Sequence, residues 1–277
     1  MIDKMNTTGN KSFIKISFVI IALAMMIIPA VTINTKKNVT SELDNRVLVE
    51  FPQFTVFNDA FISGLNDYVE DRIGFREQAL AAYQIMNDEL FHYLVHPLYE
   101  YGKDEWIMTK DWDSIQTYHL DLEEGFADRF AAFMKQAQGI ADENGACFMF
   151  LLIPNKETVY PEKLAVGYNI KNQESKSDLI MEALDKEDVP YLYLLPRFQE
   201  LKESVQLYNI KYDAGHWNEN GCFYGNIELI NYLKDNYDET IEPLNIEQFN
   251  VDTEIAECLL QSKYRIDEDI PVYSVTN

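Results

Sequence analysis

The stretch Ile16–Ile33, "ISFVIIALAMMIIPAVTI", is apolar apart from Ser17 and Thr32, and it follows Lys4, Lys11 and Lys15. It constrains the chain before any fold is considered. As a helix of about 18 residues it rises roughly 27 Å, enough to cross a bilayer core with local thinning. Such a run is a signal peptide or a signal anchor. No clean small-residue cleavage site follows it and Lys36 and Lys37 stand just after it, which favours an uncleaved anchor. With both flanks basic, the orientation rests on the segment being first in the chain. The expectation is a single-pass membrane protein: residues 1–15 cytoplasmic, 16–33 the transmembrane helix, and the main domain extracytoplasmic, at the cell surface or in the periplasm.

The remainder is ample for a packed core, since the 277 residues are 47% hydrophobic and 13% aromatic. Lys and Arg number 23 against 46 Asp and Glu, a formal charge of -23, with no basic block to hold a phosphate backbone. Nucleic acid is therefore not an expected partner. Cys147, Cys222 and Cys258 are far apart and form no CxxC, so neither a zinc site nor a disulfide scaffold is indicated. Cys147 and Cys222 read as small core residues. His92 and His96 are four apart on a predicted helix, but no carboxylate lies between them and Pro97 follows, so they read as surface or helix-end residues. No metal and no cofactor is expected.

After the anchor, residues 34–60 read as an extended arm. Two amphipathic helices broken near Gly74 follow, with Phe61, Leu65, Tyr68 and Val69 in one stripe and Leu80, Tyr83, Met86, Leu90 and Tyr93 in the next. Asp71, Arg72 and Arg76 are read as ion-pairing these helices to the domain. "PLYEYGKDEWIM" suggests a turn into a hairpin. A helix from about Leu122 to Ala141, with Phe126, Phe130, Phe133, Met134 and Ala137 on its apolar side, ends at Gly145. "ACFMFLLIP" is then a continuous apolar run of strand length, as expected where both faces of a sheet are covered. A helix capped by Ser175 or Ser177, the strand "PYLYLLP", a short helix in "RFQELKESV" and a helix from Gly221 complete an alternation that implies α/β architecture with a mostly parallel sheet flanked by helices. The α/β domain is placed at 61–240. Its strand count falls short: only Cys147–Ile153 and Tyr191–Leu195 are clear, with "QLYNI" a weak third. The segment 241–277 reads as an acidic, poorly periodic tail in which at most "PVYSV" starts a strand.

The chemistry gathers in "KYDAGHWNENG". Asp213 stands three residues before His216 in a turn with Ala214 and Gly215, which lets a carboxylate hydrogen-bond the imidazole Nδ1 and leave Nε2 free as a general base. The alternative is a histidine satisfied by a nearby aspartate in a helix-capping turn. Trp217 could stack on a sugar ring or pack the loop onto the core. Lys156 and Tyr160, just past the first strand, could touch substrate or simply close their loop.

The order of "LDNRVLVEFP", "DYVEDRIGFREQAL", "YGKDEWIM", "LLIPNKETVYPEKL" and "YDAGHWNENG" resembles the AlgX/AlgJ type of SGNH-hydrolase-like proteins, related to the DHHW group, which O-acetylate exported polysaccharides. The resemblance implies an SGNH-like, flavodoxin-like fold, with Asp213 and His216 as acid and base of a triad. It also implies a glycan substrate, and an acetyl group passed from a membrane-embedded donor protein to a serine and then to a sugar hydroxyl. The family usually writes D-x-H-W, whereas this chain has the D-x-x-H spacing of SGNH hydrolases more broadly. Its nucleophilic serine lies downstream of the histidine in a G-D-S or G-T-S turn, and Ser262 and Ser274, the serines that follow His216 here, have neither Gly nor Asp before them. The missing strands and the missing serine belong to the same end of such a fold. The expectation is thus the N-terminal part of a longer acetyltransferase-like protein, or a non-catalytic relative. A polysaccharide-binding or scaffold protein of an envelope assembly is the contrasting reading, and a secreted carbohydrate esterase a third.

Overall fold

A computed structural model describes residues 3–41, 46–110, 123–165, 175–260, 262 and 264–276. Asn45 and the expected helix start at Leu122 lie outside them. The chain forms two compact units, 1–91 with 261–264, and 92–260 with 265–277.

In the first unit, helix α1 (Asp3–Val31) contains a segment, Phe13–Val31, with mean hydropathy 2.5 and none of it buried, long and apolar enough to cross a membrane. The arm follows, pinched by the two-residue strands β1 (Thr40–Ser41) and β2 (Arg46–Val47), paired antiparallel. Helices α2 (Asp59–Arg72) and α3 (Arg76–Phe91) break where the sequence predicts. Asn58 caps α2 by accepting from the Phe61 amide at 3.0 Å. The break needs glycine because the Gly74 amide donates to the Pro29 carbonyl at 3.0 Å, and a Cβ there would lie 1.9 Å from Thr32 Oγ1.

Asp71 and Arg72 do make the expected ion pairs, but with the arm. The Arg72 guanidinium is 1% exposed and donates to the carbonyls of Val49 (2.5 Å), Asn34 (3.3 Å), Lys36 and Leu48 (3.4 Å) and to Glu50 Oε1 (2.9 Å). An irregular segment has backbone acceptors that no helix or sheet satisfies, and a planar fork of five donors suits them. Asp71 accepts two bonds from Arg46, at 2.7 and 2.5 Å, and one from the Val49 amide at 2.9 Å.

The second unit opens with an antiparallel hairpin, β3 (Tyr99–Tyr101) and β4 (Ile107–Thr109). Helix α4 (Phe126–Glu143) stops at Gly145, whose φ of 67° is the left-handed terminus expected from the sequence. Strand β5 (Phe150–Leu152), the one-turn helix α5 (Lys156–Val159) and helix α6 (Lys176–Lys186) follow. Ser175 caps α6, in a reciprocal box with Asp178. Strand β6 (Tyr191–Tyr193) runs parallel to β5 in the register Phe150 to Tyr191, and helices α7 (Leu195–Leu201) and α8 (Glu219–Asn236) follow. Alternating side chains of the sheet serve two layers. Phe150, Leu152, Tyr191 and Tyr193 meet α4 and α6 through Ala131, Met181 and Leu184, while Leu151 and Leu192 meet Val159, Leu194, Phe198 and Leu207.

Several expectations change. The first strand is three residues rather than the run from Cys147, and "QLYNI" contributes a single bridge, Tyr208 to Trp217, so among the described residues the parallel sheet has two strands. The acidic tail is a long antiparallel hairpin, β7 (Phe249–Cys258) and β8 (Arg265–Val275). Its strand pattern is real: Phe249, Val251, Thr253 and Ile255 alternate with polar residues, and the acidic partners mask the period. Phe223 of α8 packs on Phe249 and Tyr273, with ring centroids 5.2 and 5.0 Å away. Cys147 and Cys222 are exposed, not core: Cys147 precedes the short strand, and Cys222 sits beside the buried face that α8 forms with Gly221 and Gly225. Phe133 is 62% exposed because α4 buries only its Phe130 and Met134 side. His92 and His96 lie beyond the end of α3 and stack on Tyr101 and Tyr99 of β3, at 4.5 and 4.3 Å.

The Arg46 guanidinium holds the Asp71 carboxyl down at about 2 from its ordinary 3.8. A folded value below the unfolded one gives stability that is present above about pH 4 and lost as pH falls towards 2. Because Arg46 is 45% exposed, that stability is of order 1 kcal/mol. Thermal unfolding in detergent should therefore show Asp71→Asn melting below wild type at pH 7, with the gap closing near pH 2.

Candidate functional site

The chain from Gln206 to Asn218 crosses from β6 and α7 to α8 with almost no regular structure of its own. Both ends are held by its own residues: the Asn218 amide donates to the Leu207 carbonyl at 2.9 Å, and Asn218 Nδ2 donates to the Gln206 carbonyl at 2.9 Å. Asn218 Oδ1 in turn accepts from the Gly221 amide and caps α8. Between these anchors lies "DAGH".

Asp213 is 9% exposed and uses both carboxylate oxygens. Oδ1 accepts from the amides of Gly215 and His216, at 2.9 and 3.0 Å, which is an Asx turn. Oδ2 lies 2.9 Å from His216 Nδ1. An ionised carboxylate only accepts, so in this contact Nδ1 is the donor. The His216 side chain is 82% exposed. Among the described residues no group is hydrogen-bonded to Nε2. Here the structure brings together the pair that the sequence singles out.

Trp217, half-buried, packs the loop down. Its ring lies 6.0 Å from Phe198 and sits over Gly225, where a Cβ would approach it to 2.7 Å.

Lys156 and Tyr160, expected either to touch substrate or to close their loop, both lie buried beneath the loop. Lys156 is fully buried, and its ammonium donates to the carbonyls of Ile107 (2.7 Å), Ile210 (3.2 Å) and Asp213 (3.1 Å), with Nζ 5.2 Å from the Trp106 ring centroid. The Tyr160 hydroxyl accepts from the Leu207 amide at 3.2 Å. Burial pushes Lys156 down to about 8, opposed by the charges of Glu157, Glu268 and Asp213. Both residues close the loop, as an apolar strand end followed at once by buried polar groups demands.

Sequence reasoning misses Glu268. From β8, 8% exposed, its carboxylate accepts from the amides of Ile210, Lys211 and Tyr212 at 2.5, 2.7 and 2.6 Å. In "RIDEDIPV" it is one of three consecutive acids, and only its inward place in the strand's alternation sets it apart. Among the described residues no group of three His, Cys, Asp or Glu could hold a metal ion.

Gly221 marks how tightly the loop is seated. A Cβ there would lie 2.4 Å from the Leu207 carbonyl oxygen, and one at Gly215 would meet nothing within 4 Å. Gly221→Ala should thus cost about 1–3 kcal/mol by overpacking against backbone, while Gly215→Ala should leave the urea midpoint nearly unchanged. Equal effects in the two variants would contradict the packing described.

A family model described as "SGNH hydrolase-like domain, acetyltransferase AlgX" matches residues 100–257, more than half of the chain. No curated protein matches. Among solved structures, Bacillus cereus PatB1 with a sulfonyl adduct is similar at TM-score 0.48 and 15% identity, covering 63% of this chain and 56% of that one. The O-acetyltransferase domain of Pseudomonas putida AlgJ is similar at TM-score 0.45 and 12% identity, covering 65% and 66%. The chain thus spans between 56% and 66% of the length of these two structures.

Proposed function

Because the chain belongs to the family of SGNH hydrolase-like acetyltransferases typified by AlgX, we propose that it serves the O-acetylation of a cell-surface or exported polysaccharide, with His216 as general base and Asp213 orienting it. The observation that carries this reading is the 2.9 Å contact of Asp213 Oδ2 with His216 Nδ1 beneath an exposed imidazole. An acyl transfer needs a group that takes the proton of an attacking hydroxyl as its oxygen bonds to the acetyl carbonyl. It also needs the same group to return that proton to the oxygen that leaves. Nε2 can do both, and the carboxylate behind it stabilises the imidazolium formed between the two steps. Helix α1 would anchor the chain with its second unit outside the cytoplasm, and a membrane-embedded protein would supply the acetyl group.

One observation favours a second reading, a non-catalytic glycan-binding or scaffold protein. No hydroxyl among the described residues is bonded to His216, and Ser274 lies in the hairpin opposite Asn250.

Purified full-length protein in detergent separates the two. Acetyl-ester hydrolysis that is lost in His216→Ala and falls about 10²–10⁴-fold in Asp213→Asn supports the base and orienter. Hydrolysis that survives His216→Ala overturns that assignment, and retention of polysaccharide without turnover supports the binding protein.

A further inference from the structure

The Asp213–His216 turn has little stiffness of its own. Ala214 and Gly215 form its middle, and a Cβ on Gly215 would touch nothing. A hydrogen bond between side chains three residues apart is only as well aligned as the backbone that presents them. On the far side Asn218 supplies support, through its bonds to Leu207 and Gln206. On the near side, residues 210–213 belong to no helix or strand and are held entirely from outside.

The hold is divided by polarity. The carbonyls of Ile210 and Asp213 accept from the Lys156 ammonium, and the Tyr212 carbonyl accepts from the Leu260 amide at 2.8 Å. The amides of Ile210, Lys211 and Tyr212 all converge on the Glu268 carboxylate. Three successive N–H groups around one anion form a concave, charge-assisted site, each bond stronger than a neutral pair would give. Tyr212, the residue that precedes Asp213, is thereby pinned at both its N–H and its carbonyl.

We propose that Glu268 is a positioning residue for the Asp213–His216 pair: by collecting the three amides ahead of Asp213, it sets the direction in which that carboxylate meets His216 Nδ1. The residue lies beyond the stretch 100–257 matched by the family model, so the assignment comes from this fold and not from the match. It places the C-terminal hairpin in the service of the site, since Glu268 and Leu260 both reach the loop from there. Glutamine at 268 would keep the shape but lose the charge, and its NH2 group would confront an amide that needs an acceptor. The inference rests on the reading of Asp213 as the orienter of His216.

The test reads the imidazole directly. In ¹⁵N-labelled full-length protein in detergent at pH 8, long-range ¹H–¹⁵N correlations should show His216 protonated at Nδ1 and bare at Nε2. Glu268→Gln and Glu268→Ala should lose that pattern to a mixture of tautomers. The rings of His92 and His96, stacked on tyrosines in the same unit, should keep theirs and so report that the unit is folded. A folded variant with an unchanged His216 pattern overturns the proposal. So does loss of the His92 and His96 patterns in both variants, which would make Glu268 a determinant of folding rather than of the site. A wild-type His216 already mixed between tautomers would overturn the orienting role of Asp213 together with this inference. An intact tautomer in a chain without esterase activity would overturn only the catalytic reading.

Discussion

Lys156 carries an ammonium group into the interior, where its hydrogen bonds all go to backbone carbonyls. Such a group is costly unless every donor is used, and its three bonds tie the β3–β4 hairpin at Ile107 to the loop at Ile210 and Asp213. The core of the second unit is arranged around that requirement. Trp106 covers the ammonium, Tyr160 beside it takes the Leu207 amide, and the Tyr208 hydroxyl donates to the Pro154 carbonyl just ahead of α5. The burial that depresses Lys156 is the same burial that keeps the loop from shifting, so electrostatic cost and mechanical support have one origin.

The first unit meets the same difficulty in the same manner. Among its described residues the arm has two-residue strands and otherwise no regular partner, yet it must lie against α2. Arg72 gathers four of its carbonyls and Glu50, while Asp71 takes Arg46 and the Val49 amide. In both units a buried ion acts as a substitute for secondary structure, satisfying backbone groups that a helix or sheet would otherwise pair. Removing one of these ions would strand several polar groups at once, which makes it more costly than losing a surface pair of the same distance.

Where the sequence was legible, the signal was local. Ser175 caps the helix it precedes, Gly145 ends α4, and Gly74 breaks α2 from α3, because caps and turns depend on residues within about four positions. The Asp213–His216 pair was legible for the same reason: three residues and a small-residue turn suffice to bring the groups together. What failed was non-local or masked by charge. The β7–β8 hairpin hid behind its acids, Cys222 followed the outer side of a helix whose inner side is set by two glycines, and Phe133 lay on an apolar stripe wider than the face that α4 buries.

The sequence by itself determined the membrane-length apolar helix, the α/β alternation, the helix ends at Gly74, Gly145 and Ser175, and the spacing that brings Asp213 to His216, since each follows from periodicity, capping or short-range geometry. Only the tertiary structure decided what holds that pair in place. Lys156 is separated from Asp213 by 57 positions, and Glu268 from Tyr212 by 56. No local pattern distinguishes a lysine or glutamate that will be buried from one that will be solvated. That distinction comes from which backbone groups the fold leaves unpaired, and it exists only once the hairpins and the loop have met.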